Sequence, residues 1–244
     1  ISGPFIVSDN AALGLPDAKI YYARAVNVDT LELLPSITSG AAEALTTPAS
    51  GKFDLQPING VFRTADGGLT WQALTQTSGI ADVSASVRTE LAVSAATDPA
   101  TGMHPVYTAF IMEDSSRSTA ERRFTELQYI ARSNDNGQTW VQMNRPGDAS
   151  GGINGQGQGL RHFALFTDPR DSNILYVAGD AQVPPFPTAT GAPSFNDRIF
   201  RGDFQLTQTE IDGVGWVSLR NNYAVRSAPH ADSRYFALDA LGGL

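Results

Sequence analysis

No cysteine occurs in the 244-residue chain, so disulfides and thiolate metal sites are excluded. Lysine is nearly missing. Lys19 and Lys52 are the two copies, and Arg supplies the rest of the 17 positive charges. With 25 acidic residues the net charge is −8. No basic stripe offsets it, which argues against nucleic acid as a partner. No apolar run approaches the ~18 residues of a membrane helix, so no membrane insertion is expected. No Asn-x-Ser/Thr acceptor site is present. Neither a signal peptide nor an initiator Met stands at Ile1, so the chain reads as processed, truncated or a fragment. No segment sustains a 3.6-residue hydrophobic period, so helices are not expected; Ser115 to Arg123 is read as a long loop or one short helical turn.

What is present points to strands. Gly (23) and Pro (14) are frequent without a low-complexity tract. They punctuate short runs rich in Val, Thr, Tyr and Phe. The runs repeat. Arg63-Thr64-Ala65-Asp66-Gly67-Gly68-Leu69-Thr70-Trp71 and Arg132-Ser133-Asn134-Asp135-Asn136-Gly137-Gln138-Thr139-Trp140 both read Arg-Ser/Thr-x-Asp-x-Gly-x-Thr-Trp, 69 residues apart. A further step of 69 lands on Arg201, where the pattern decays: Phe204 replaces the Asp, and Trp216 comes seven residues late. Between these turns, Thr97-Asp98-Pro99 and Thr167-Asp168-Pro169 each close one apolar run and precede another. Tyr235 to Asp239 reads as a strand starting another copy, and Lys19 to Ala23 as the matching strand of the first.

Each unit reads as four strands, the blade of a propeller. The expected fold is all-β: a β-propeller with four-stranded antiparallel blades, about three blades plus the start of a fourth. It is read as one partial domain over 1–244, with units at about 18–80, 88–146 and 160–222, and 230–244 opening the next. So few units do not close a ring of four to eight blades. Missing blades or another chain are therefore expected to complete it.

The recurring residues have a physical rationale. The Asp carboxylate accepts backbone N–H groups, as in Asx turns. Gly supplies a positive-φ position. The Ser/Thr hydroxyls close the loop, and Trp buries a large surface. Thr64, Asp66, Gly68, Thr70 and Trp71, and Ser133, Asp135, Gly137, Thr139 and Trp140, are thus assigned as structural staples.

These segments resemble the Asp-box, or bacterial neuraminidase repeat, of sialidases, xyloglucan-degrading glycoside hydrolases, sortilin-type receptors and photosystem assembly factors. The resemblance implies a β-propeller and does not single out an activity. It implies a secreted or cell-surface protein that binds or hydrolyses carbohydrate. The alternative is a non-catalytic structural or protein-interaction module. An enzyme of this kind would be a glycoside hydrolase, without cofactor or metal. Sialidase activity is not expected, because the Phe-Arg-Ile-Pro motif is absent. Arg88, Arg161 and Arg234 stand near strand starts as candidates for the arginine triad of that family.

Ligand candidates sit at polar strand entries: Arg161, His162, Asp180, His230, Asp232 and Arg234. His230 and Asp232, two apart, would share a face of an extended strand. Glu90, Asp180 and Asp232 are the candidates for a hydrolytic carboxylate pair. The Gly-rich run Gly151 to Gly159 lacks the Lys-Ser/Thr of a phosphate loop and reads as a flexible loop over one face. Asn134 to Gly137 fails as a calcium loop, since Arg132 and Met143 would fall at ligand positions. Val183 to Pro187 reads as a stiff insertion that covers an edge or meets a partner.

Overall fold

A computed structural model describes residues 4–7, 21–27, 30–34, 55–57, 59–67, 72–74, 79–80, 83, 85–189, 191–219 and 230–239. Every regular element among them is a strand. The chain divides into two compact units, Ile1–Leu74 and Thr75–Leu244.

The first unit holds β1 (Pro4–Val7), β2 (Tyr21–Asn27), β3 (Thr30–Leu34) and β4 (Leu55–Pro57) in one antiparallel sheet of order β3-β2-β1-β4. The order differs from a simple meander. The apolar run Pro4–Val7, unremarked in the sequence, inserts between β2 and β4, with Phe5 opposite both Tyr21 and Pro57. The expected strand at 19–23 is present from Tyr21, while Lys19 and Ile20 lie outside the described residues. The hairpin of β5 (Phe62–Arg63) and β6 (Gln72–Ala73) forms a two-stranded sheet by itself.

The second unit carries two successive four-stranded meanders. The first runs β7 (Arg88–Val93), β8 (Val106–Glu113), β9 (Thr125–Ser133) and β10 (Val141–Met143). A hairpin of β11 (Gly147–Asp148) and β12 (Gly151–Gly152) follows. The second meander runs β13 (Ala164–Thr167), β14 (Ile174–Ala181), β15 (Asp197–Asp203) and β16 (Trp216–Ser218). The middle strands β8 and β14 are nearly continuously buried, as strands covered on both faces must be. The core joins Tyr107, Ile111, Ile130 and Met143 of one sheet to Leu175, Val177, Phe200 and Trp216 of the other. β13 lies against β7, so the two sheets meet along their first strands.

The repeat is visible in the pairing. Arg63 lies opposite Gln72, Arg132 opposite Val141, and Arg201 opposite Val217. The partners are nine residues apart in the first two hairpins and sixteen in the third. The late Trp216 therefore occupies the register of Trp140, and the extra residues stay in the loop after Asp203.

In the turn at 133–140, Ser133 Oγ donates to Asp135 Oδ1 at 2.8 Å and accepts the Gly137 amide at 2.7 Å. Asp135 accepts the Thr139 amide at 2.9 Å and the Thr139 hydroxyl at 2.6 Å. Asn136 and Gly137 have φ of 59° and 85°. Trp140 is buried. In the first copy, Thr64 Oγ1 donates to Asp66 Oδ1 at 2.8 Å. Gly67 stands at φ 72°, where Asn136 stands in the second. Gly68, Thr70 and Trp71 lie outside the described residues.

The two Thr-Asp-Pro sites also match. Asp98 accepts the amides of Ala100 and Thr101, and Asp168 those of Arg170 and Asp171. Asp98 further binds buried Arg132 at 2.7 Å. Residues 115–123 form turns without a helix, capped by the Asp114 carboxylate. The expected strand at 235–239 is not formed. That segment docks by side chains instead: the Phe236 ring lies 6.1 Å from Phe166 and 6.4 Å from Tyr176.

Candidate functional site

Chemistry concentrates where β14 ends and β15 begins. Ala181 pairs with Asp197 across a register shift, so Asp180 and Asp197 come close at the mouth of the sheet. Both are fully buried. Asp180 accepts the amides of Gln156 at 3.2 Å and Gln158 at 2.8 Å. Asp197 accepts the Arg198 amide at 2.7 Å and the Ser233 hydroxyl. Ser233 also donates its amide to Gly179 O at 3.0 Å. These bonds bring the 230–234 segment onto the end of the sheet.

Burial pushes both carboxyl groups up, Asp180 to about 6 and Asp197 to about 7. The amides and the Ser233 hydroxyl oppose the rise. The negative field of Asp232 adds to it for both. Three carboxylates thus share one small region. Asp232 is the exposed member and stands at φ 79°, a left-handed conformation unusual for a residue with a Cβ.

His162 faces this group. Its Nε2 lies 3.9 Å from Asp232 Oδ1, beyond hydrogen-bond length, and its residue is 6% exposed. Its buried Nδ1 has no partner among the described residues. Behind the site, buried Arg198 donates to Gln182 Oε1 at 2.8 Å, to Asp148 Oδ1 at 2.9 Å and to Gly151 O. It holds the mouth of β15 to the β11–β12 hairpin.

The Gly-rich run is anchored rather than loose. Asp180 fixes 156–158. Asn154 is buried, accepting the Leu127 amide at 3.1 Å and donating to His162 O at 3.0 Å. Gly157 carries φ 70°, and a Cβ there would meet the Phe124 ring at 1.9 Å.

Of the six ligand candidates, the structure brings His162, Asp180 and Asp232 together. His230 does not share a strand face with Asp232. Residues 230–234 form only an isolated bridge, His230 opposite Asn196, and the positive φ breaks the alternation. His230 Nδ1 turns to Ala231 O at 2.9 Å. Arg161 and Arg234 are exposed. Glu90 is occupied by Arg88, whose Nε lies at 2.7 Å. Arg88 also donates to Phe163 O at 2.8 Å, so its guanidinium is consumed inside the fold and is not free for a ligand triad. The Pro-rich insertion carries Phe186, which meets Phe195 edge-on at 4.8 Å.

Sequence reasoning missed Asp197, Ser233 and Arg198. The one local signal is an Asp-Arg pair opening an apolar run; its neighbours are set by the β14–β15 register. Among the described residues, no group of three or more His, Asp or Glu side chains is arranged to hold a metal ion. No described helix is long and apolar enough to cross a membrane. No family model, curated protein or solved structure matches the chain.

Proposed function

We propose that the chain supplies blades of an extracellular or cell-surface Asp-box β-propeller that binds or hydrolyses carbohydrate at the His162–Asp180–Asp197–Asp232 site. One observation carries the reading. Two carboxyl groups held near neutral pKa flank an exposed Asp232 and a buried histidine with an unsatisfied nitrogen. Such groups converge where hydrogen-bonding ligands are read. Support for the propeller comes from two successive four-stranded meanders, adjacent first strands and the shared register of the three turns.

The geometry favours binding over hydrolysis by this segment alone. Glycoside hydrolysis needs two carboxyl groups open to one cleft. Asp232 is open here, while Asp180 and Asp197 are enclosed and hold the loops around it. Asp232 is the group a sugar hydroxyl would meet, with buried His162 behind it. A second acid would come from other blades of the ring. Glycan arrays and glycosidase panels test the reading. Binding lost in Asp232→Ala with an unchanged fold supports it, and blanks in both screens end it.

A scaffold reading is favoured by one observation. The β14–β15 loop that holds the insertion presents Phe195, 55% exposed, beside Phe186. Protein docking lost on altering 181–195, with Asp232→Ala silent, would select that reading.

A further inference from the structure

A second, arginine-rich cleft opens along the segment that leads to His162. It is lined by Arg122 and Arg123 of the β8–β9 connection, by Thr125 at the start of β9, and by Gln158, Leu160 and Arg161 at and just after the end of the Gly-rich run, with a volume of about 540 Å³. In a chain of net charge −8, three guanidinium groups meet here against one lining carboxylate, Glu121.

The arginines are held by packing. The Phe124 ring carries Arg117 at 4.2 Å and Arg122 at 4.5 Å. Gly157, where no Cβ fits, lets that ring lie against the Gly-rich run. Arg117 donates to Gly155 O at 3.2 Å and lies 3.5 Å from Glu126. Arg122 donates one N–H to Gln156 O and keeps the rest of its fork. Arg123 is spent on Glu113, at 2.6 Å. The Arg161 guanidinium has no hydrogen-bond or ion-pair partner among the described residues, while its backbone amide donates to Gln158 O at 2.8 Å. The cleft therefore presents the open forks of Arg122 and Arg161, the geometry that suits a planar or tetrahedral oxyanion.

The same segment links the two sites. Gln156 and Gln158 are held by Asp180; Gln158, Leu160 and Arg161 line the cleft; and His162 faces Asp232. We infer that this cleft binds an oxyanion substituent, a carboxylate or a sulfate ester, on the saccharide that reaches Asp232. The inference rests on the carbohydrate reading and narrows it to acidic glycans.

Titration calorimetry of the 244-residue chain tests it with three oligosaccharides of equal length: neutral, uronate-bearing and sulfated. The acidic probes should bind more tightly than the neutral one and weaken with added salt. Arg161→Ala, at an exposed side chain that makes no hydrogen bond or ion pair among the described residues, should weaken them by roughly tenfold or more. Arg122→Gln together with Arg161→Ala should weaken them further, while any neutral binding stays unchanged. The better of the two acidic probes identifies the oxyanion. Equal binding of neutral and acidic probes, or an unaffected Arg161→Ala, overturns the inference. Neutral binding that depends on Asp232 alone leaves the carbohydrate reading standing without it. No binding of any probe overturns both.

Discussion

The turn at 133–140 and the mouth of the last sheet use the same residue, aspartate, in opposite ways. In the turn, burial works against the Asp135 charge, but bonds from Thr139 and Ser133 outweigh it and hold its carboxyl below the usual value. Asp98 behaves alike, where Arg132 and two amides overcome its burial. At the mouth, Asp180 and Asp197 also accept hydrogen bonds, yet deeper burial and the neighbouring Asp232 charge prevail. A carboxylate fully committed to its own turn is fold chemistry. A carboxyl pushed up beside an exposed partner and an unsatisfied histidine is site chemistry.

The largest effect that sharpens this contrast lies on the turn side. Trp140→Ala should cost about 3–5 kcal/mol in urea unfolding, since the residue that closes the turn is only 4% exposed. A loss under about 1 kcal/mol would mean that the turn does not anchor the sheet.

The pH dependence comes next. The folded values of Asp180 and Asp197, about 6 and about 7, lie above the ordinary 3.8. The native state therefore holds protons that the unfolded chain releases. Their contribution to stability is full below the ordinary value and is lost as pH rises through the folded values. Asp98 and Asp135 act with the opposite sign, contributing above the ordinary value and losing that contribution as pH falls through their lowered ones. Urea midpoints should fall between about pH 5 and about pH 8, and Asp197→Asn should flatten that limb. A limb as steep in the variant as in the parent would remove Asp197 from the account.

A matched pair of substitutions separates the two roles. Asp135→Ala should cost about 1–2 kcal/mol, from lost bonds to Thr139 and Ser133. Asp232→Asn should stay within about 0.5 kcal/mol while weakening ligand binding, because Asp232 is exposed. Equal losses of stability would erase the distinction. The smallest effect is expected at Asn136, with φ 59°. Asn136→Gly, matching Gly67 of the first copy, should shift stability by no more than about 0.5 kcal/mol, and Asn136→Val by about 1 kcal/mol or more.

How far the sequence carried follows from how local each feature is. The turn at 133–140 is written in eight consecutive residues, so its residue types announce its chemistry. The register at Trp216 was obscured because a longer loop separates it from Arg201, although the backbone pairing is the same. The order of the first sheet was hidden, since nothing in Pro4–Val7 says that it enters between β2 and β4. Tyr235 to Asp239 has a strand's composition but docks through Phe236 without a ladder. At the site, His162, Asp180 and Asp232 stood out as polar residues at the ends of apolar runs. Asp197 did not, because its role depends on lying opposite Ala181 and within reach of Ser233, 36 residues on.

The claim that one group of aspartates serves the fold and another serves a site is tested most directly by carboxyl-carbon NMR titration of the intact chain. The account predicts that Asp98 and Asp135 lose their protons below the ordinary value. It predicts that Asp180 and Asp197 still hold protons above about pH 5 and release them between there and about pH 8. Asp180 and Asp197 both fully ionised by about pH 5, like the turn aspartates, would contradict it.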